Sequence, residues 1–284
     1  MQIEFLGTGG AITIPRPGCD CRICAEARAR RIPYSRAGPS VFVHGPDALI
    51  DTPEEIAEQL NRSRVTQIDA CFYSHWHPDH TMGRRVWETR NFDWRHWPPR
   101  NIRTDIYLPH QVAQDFRQWL GTWDHLAHLE RQGVARVITL ADGDTVTLGN
   151  TRICPFRLAE DYVYAFVFEE DGRRVLIAPD ELFGWEPPPE IQGVDLAVIP
   201  MGIVELDPFT GERRFPADHP VLKSEATFAQ TLEIVRKLDA KRVIMTHIEE
   251  PSQIAYDDLQ RLEAKLKNEG FNITFAYDTW LMEV

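Results

Sequence analysis

"SHWHPDHTMG", residues 74–83, places His75, His77, Asp79 and His80 within six positions. A lone histidine is usually a packed core residue, but four metal-binding side chains in one short turn are hard to explain by packing. The stretch follows a run of strand character, "DACFYS" (69–74), and ends in a glycine. On a strand that turns sharply into a helix, residues two apart point the same way, and those of the turn project to an adjacent point. His75 and His77 are therefore expected to serve one metal, and Asp79 and His80 a second. Two-metal hydrolytic sites hold their ions about 3.5–4 Å apart.

Outward from this turn the chain reads as repeated strand and helix units, an α/β pattern. "QIEFLGTGG" reads as a strand running into a glycine turn. "SVFVHGPDALIDT" reads as a hairpin whose second strand ends at Asp51. In "TPEEIAEQLNRS", Thr52 is expected to cap a helix with Pro53 at its first position. "TDIYLP" is a strand, "HQVAQDFRQWLGTW" a helix, and residues 136–200 a series of strands turning at Asp142-Gly143, Gly149-Asn150 and Asp171-Gly172. Phe228, Leu232, Val235 and Leu238 have helical spacing ahead of the strand "RVIMTH". A second amphipathic helix ends at Gly270, before a final strand "NITFAYDTWLMEV". A single domain over residues 1–284 is expected.

The chain has 43% hydrophobic and 26% charged residues, with no apolar run of membrane-spanning length, and the N-terminus lacks the pattern of a signal peptide. No membrane partner is expected, and five cysteines, three of them clustered, fit a reducing, cytoplasmic setting. A formal charge of -12 argues against an extended nucleic-acid partner, which needs concentrated Lys and Arg. A small anionic substrate remains compatible, because bound cations dominate the field of a pocket.

"SHWHPDHTMG" resembles the signature of the metallo-β-lactamase superfamily, which implies a four-layered αβ/βα sandwich with a dinuclear metal site along one edge. By that resemblance Asp180, ending "RRVLIAPD", is the bridging carboxylate and His247, ending "RVIMTH", the last histidine ligand. Family members usually carry another histidine before the strand that precedes the bridging aspartate, and "RLAEDYVYAF" has none. Glu160 is the expected substitute, with Asp161 beside it; carboxylate ligation would suit Mn²⁺ as well as Zn²⁺. The alternative is a single metal at Asp79, His80, Asp180 and His247. Asp51 and Asp278, at strand ends, are expected to support ligand histidines rather than bind metal.

"GCDCRIC" supplies Cys19, Cys21 and Cys24, three corners of a tetrahedral structural zinc site, in a cysteine-rich loop at about residues 16–36. With the "GTGG" turn, that cluster narrows the resemblance to the cyclic-phosphate phosphodiesterases related to ribonuclease Z. In that branch a histidine three residues beyond the last catalytic histidine completes the zinc site; here the position is Glu250, with Glu249 or His44 as fallbacks. The branch also carries a loop histidine that acts on the leaving group or holds the phosphate, and His219 is the match. The "GTGG" backbone could face a phosphate, although a tight turn accounts for it equally well.

The resemblance implies a metal-dependent hydrolase in which a metal-bound hydroxide, oriented by Asp79, attacks a small or cyclic phosphodiester while His219 protonates the leaving oxygen. Two divalent ions, Mn²⁺ or Zn²⁺, and one structural Zn²⁺ are the implied cofactors, and a homodimer the implied assembly. The alternatives are lactone, ester or thioester hydrolysis on the same fold, or a binding and carrier role like that of the pyrroloquinoline quinone biosynthesis relative. The Trp-rich loop 91–99 could line the pocket or form an interface.

Overall fold

A computed structural model describes residues 1–159 and 162–284. Six strands build most of a first sheet: β1 (Gln2–Gly7), β2 (Ser40–His44), β3 (Ala48–Ile50), β4 (Ala70–Phe72), β5 (Thr104–Pro109) and β6 (Ala135–Leu140). A second sheet contains β7 (Val146–Leu148), β8 (Thr151–Arg157), β9 (Tyr164–Glu170), β10 (Arg173–Ile177), β11 (Leu196–Pro200), β12 (Val243–Thr246) and β13 (Ile273–Phe275). The last strand, β14 (Trp280–Glu283), returns to the first sheet beside β1, giving the orders β14-β1-β2-β3-β4-β5-β6 and β13-β12-β11-β10-β9-β8-β7. Each sheet is mixed. β1, β2, β3 and β14 pair antiparallel and β3 to β6 parallel; β7 to β10 pair antiparallel and β10 to β13 parallel.

The strand sequences explain the layering. In β10 and β11, Val175, Ile177, Leu196 and Val198 face the core between the sheets, where Phe72 meets Phe166 edge-on at 5.5 Å between ring centroids. The alternate residues Leu176, Ala197 and Ile199 face a second core with Leu259, Leu262 and Leu266. Strands buried on both faces read as continuous apolar runs, which is how "VLIA" and "LAVI" read. The second core is roofed by the helices Phe228–Leu238 and Tyr256–Asn268. On the other side, the helices His110–Gln118 and Thr122–Arg131 place Val112, Phe116, Leu126 and Leu129 against the first sheet. The architecture is α/β, a sandwich of two mixed sheets flanked by helices. Among the described residues no helix is long and apolar enough to cross a membrane.

Three expectations are corrected. Thr52 does not cap a helix: the helix runs Ile56–Asn61, and the buried Thr52 hydroxyl pairs with Tyr73 Oη at 2.7 Å. The stretch after residue 110 forms two helices, broken at Leu120 and Gly121, both with φ near 60°. The final strand is two, one in each sheet, because the segment between them crosses the sandwich. Asp278 fastens that crossing by accepting hydrogen bonds from Thr8 N, Thr8 Oγ1, Ala37 N and Arg62.

Candidate metal centre

Three chain segments at the C-terminal ends of strands converge on one edge of the sandwich, where open α/β sheets place their sites. The loop after β4 carries His75 and His77, and Pro78–Thr81 forms a single helical turn carrying Asp79 and His80. Asp180 follows β10 and His247 follows β12. Ser74 ties the two sheets together here, its carbonyl accepting from Tyr164 N at 3.0 Å.

The donors fall into two triads: His75, His77 and Asp180, and Asp79, His80 and His247. Asp180 stands between them. Its Oδ2 lies 3.1 Å from His75 Nε2 and 3.5 Å from His80 Nε2, and its Oδ1 lies 3.3 Å from His247 Nε2. Asp79 Oδ2 is 3.3 Å from His80 Nε2 and 3.8 Å from His247 Nε2. Atoms bound to one ion at about 2.0–2.2 Å in tetrahedral array are separated by distances of this order.

The buried Nε2 atoms of His75, His80 and His247 have no hydrogen-bond partner among the described residues. Buried polar atoms are normally satisfied, so three orphans aimed at shared carboxylates fit a cation. His80 is also fixed from behind: Asp51 Oδ2 lies 2.7 Å from its Nδ1, and Asp51 accepts from Ser74 N at 2.8 Å and Ser74 Oγ at 2.7 Å. A carboxylate on Nδ1 leaves Nε2 free to bind metal. Asp51 and His247 both hold positive φ, 60° and 54°; backbone of this kind persists where the surrounding structure dictates it. Asp278, in contrast, has no ligand histidine among its hydrogen-bond partners in the described residues.

Electrostatics point the same way. Burial depresses the pKa of His80, but Asp79 and Asp51 outweigh it and hold the imidazole well above its usual range. Burial likewise opposes protonation of His247, yet Asp180, Asp79 and Glu249 raise it to about 9. Burial favours neutral carboxyls at Asp79 and Asp180, and the neighbouring histidines overcome it and hold both well below the carboxylate range. Without metal, protons on His80 and His247 thus supply the positive charge that the aspartates require. His77 goes the other way, down to about 4, through burial and the neighbouring His75.

A cavity of about 620 Å³ opens over the donors, lined by His77, Asp79, Asp180, His247 and His219 among others. His219 caps a short 3₁₀ turn, its Nδ1 accepting from Val221 N at 3.2 Å. Several lining groups carried no motif and were not anticipated: Glu181, Glu225, Phe215 and Tyr162. Burial raises Glu181 to about 7, and burial together with Glu249 raises Glu225 to about 7. Tyr162 packs its ring 5.5 Å from that of His77. Glu160, the expected substitute ligand, and Asp161 lie outside the described residues; the third donor beside His75 and His77 is Asp180.

The "GTGG" turn has a steric explanation. A Cβ on Gly10 would sit 2.3 Å from His247 Cε1 and 2.8 Å from Glu249 Oε1, so only glycine lets His247 close on the centre. The Trp-rich loop does not line the cavity. Trp94 and Trp97 are 83% and 92% exposed, and Asp93 organises the loop by accepting from Arg95 N and Arg100 N.

A second cluster lies one turn beyond His247. Cys19, Cys21, Cys24 and Glu250 offer four donor atoms within 4.8 Å of one another, with Glu250 Oε1 3.2 Å from Cys21 Sγ and 3.7 Å from Cys19 Sγ. The fallback ligands are elsewhere. Glu249 accepts from Ile12 N beside the cavity, and His44 pairs with Glu4.

The sandwich and its paired donor triads define the class: a metallo-β-lactamase fold with a metal-binding, hydrolase-type centre. The chain belongs to the beta-lactamase superfamily, whose domain matches residues 46–248. No curated protein matches the chain in sequence. Among solved structures it is similar to a diphosphatase of the PhnP family (22% identity, TM-score 0.70, 100% of this chain and 97% of that one). It is also similar to zinc-bound PqqB from Methylobacterium extorquens (15%, TM-score 0.71, 100% of both chains) and to human tRNase Z, short form (18%, TM-score 0.63, 100% and 99%). At these identities the likeness is one of fold.

Proposed function

We propose that this protein is a metal-dependent phosphodiesterase acting on a small or cyclic phosphodiester, with metals held by His75, His77 and Asp180 and by Asp79, His80, His247 and the shared Asp180. The observation that carries the reading is Asp180, one carboxylate within 3.1–3.5 Å of histidines from both triads. Divalent ions at these positions, Mn²⁺ or Zn²⁺, would acidify water and neutralise charge on phosphoryl oxygens.

The chain's own groups supply the rest. Asp79 borders the cavity and stays ionised, so its free acceptor capacity orients a water and receives its hydrogen bond. His219 serves better as a holder of phosphate than as an acid. With Nδ1 taken up by the Val221 N–H, Nε2 is the ring atom left to donate a hydrogen bond to a phosphoryl oxygen. Cys19, Cys21, Cys24 and Glu250 would hold a structural Zn²⁺, pinning the loop that carries His247 to the N-terminal segment.

The test is hydrolysis of bis(p-nitrophenyl) phosphate and 2′,3′-cyclic nucleotides by protein loaded with Mn²⁺ or Zn²⁺, with Asp79→Ala alongside. Turnover that needs metal and disappears in the variant supports the assignment. A loaded protein no faster than Asp79→Ala on every diester refutes it, and activity on lactones or thioesters would redirect it.

A further inference from the structure

The wall of the cavity has a composition that phosphoryl chemistry alone does not require. Among the described residues no lysine or arginine lines it. Beyond the ligand carboxylates it presents Glu181, Glu225 and Glu249, together with the rings of Phe215 and Tyr162. Two of these carboxylates are partly engaged: Glu181 accepts from Ala226 N at 2.8 Å and Glu249 from Ile12 N at 2.8 Å. The Glu225 carboxylate has no hydrogen-bond or ion-pair partner among the described residues, although it is only half-exposed. The wall borders a true ligand site, because the wholly buried His75 and His80 direct unpartnered Nε2 atoms at Asp180, which lines the same space.

Carboxylates facing a site without cationic residues repel substrate arms that bear extra negative charge, such as a terminal phosphate. They attract positive ones, and aromatic faces beside them add cation–π attraction. A phosphodiester with one anionic centre over the donor triads and a cation on its other arm matches both the donors and the acidic wall beside them.

We propose that the substrate carries an ammonium-type group on the arm remote from the scissile bond, received by Glu225 in the cavity that Phe215 and Tyr162 also line. The inference rests on the phosphodiester reading above, and the experiment separates the two. The probes are p-nitrophenylphosphorylcholine and its uncharged isostere 3,3-dimethylbutyl p-nitrophenyl phosphate, in which carbon replaces the nitrogen. Hydrolysis releases p-nitrophenol from both, so leaving group and phosphorus are identical.

The metal-loaded protein is expected to favour the choline ester about tenfold in kcat/KM, mainly through KM. Glu225→Gln should bring the ratio towards one, while Glu225→Asp retains part of the preference. Equal or greater efficiency with the neutral ester overturns the inference, as does a preference unchanged in Glu225→Gln. If neither ester is hydrolysed, the phosphodiester reading stands or falls with bis(p-nitrophenyl) phosphate and the cyclic nucleotides. Calorimetric binding of the same two esters then decides the inference: tighter binding of the choline ester that weakens in Glu225→Gln upholds it, and equal affinity overturns it.

Discussion

Replacing Asp51 by asparagine changes a single atom of a residue that touches no substrate, yet the geometry makes it one of the most damaging substitutions near the centre. Asp51 is fully buried and acts only as an acceptor: Oδ1 takes Ser74 N–H at 2.8 Å, and Oδ2 faces both Ser74 Oγ and His80 Nδ1 at 2.7 Å. If asparagine keeps the bond to Ser74 N, its amide NH₂ replaces Oδ2 and meets the Nδ1–H of His80. Two donors then face each other in a dry site, a mismatch costing about 1–3 kcal/mol. His80 escapes by moving its proton to Nε2, the atom that should bind metal. Loss of such a supporting carboxylate typically weakens metal binding by about 10–100-fold, and at about 1.4 kcal/mol per tenfold the two figures agree. The assay is competition for Zn²⁺ against a chromophoric chelator, with a melting curve of the metal-free protein as the folding control. Affinity within twofold of wild type in Asp51→Asn would refute the argument.

Gly10→Ala is expected to displace His247, because the added methyl falls 2.3–2.8 Å from His247 and Glu249. A loss of stability of about 1–3 kcal/mol and reduced metal content should follow, and full occupancy at an unchanged melting temperature would contradict it. For the metal-free protein, the His247 pKa of about 9 lies above its unfolded value of about 6.5. Its stabilising contribution is therefore complete below pH ~6.5 and fades as pH rises through 9, so the melting temperature should fall across that window. Loading the Asp79, His80 and His247 triad at pH 7 should release about two protons, measurable by calorimetry in buffers of different ionisation heat; no release would count against it. In the cysteine cluster, burial raises Cys24 to about 12, whereas at Cys21 burial is outweighed by hydrogen bonds from the Cys24 backbone and neighbouring groups, which lower the thiol. Chelated protein should be alkylated at Cys21 before Cys24, with Zn²⁺ slowing both; the reverse order in peptide mass spectra would overturn this.

The parts legible in the sequence are those whose spacing is itself the geometry. His75, His77, Asp79 and His80 lie within one strand end and one helical turn, so local backbone conformation divides them into two groups without help from the rest of the chain. Cys19, Cys21 and Cys24 are gathered in the same way, and the buried strands betray themselves as apolar runs. Readings failed where a distant contact outweighed local preference. Thr52 has the profile of a cap, but Tyr73 claims its hydroxyl. "NITFAYDTWLMEV" has continuous strand character, but the edges of two different sheets are each open to one end of it.

The sequence by itself determined the fold class and the nucleus of the metal centre, because hydrophobic alternation and short-range ligand spacing survive without tertiary context. Resemblance pointed to Asp180 as the bridge and to Asp51 as a histidine support, but only the tertiary structure decided that Asp51 holds His80 in particular, that Asp278 fastens the crossing between sheets instead, and that Glu225, Phe215 and Tyr162 share a cavity wall with Asp180. These residues are separated from their partners by tens to more than a hundred positions along the chain. No local pattern encodes such contacts; they follow from how two sheets stack and which strand ends reach the same edge.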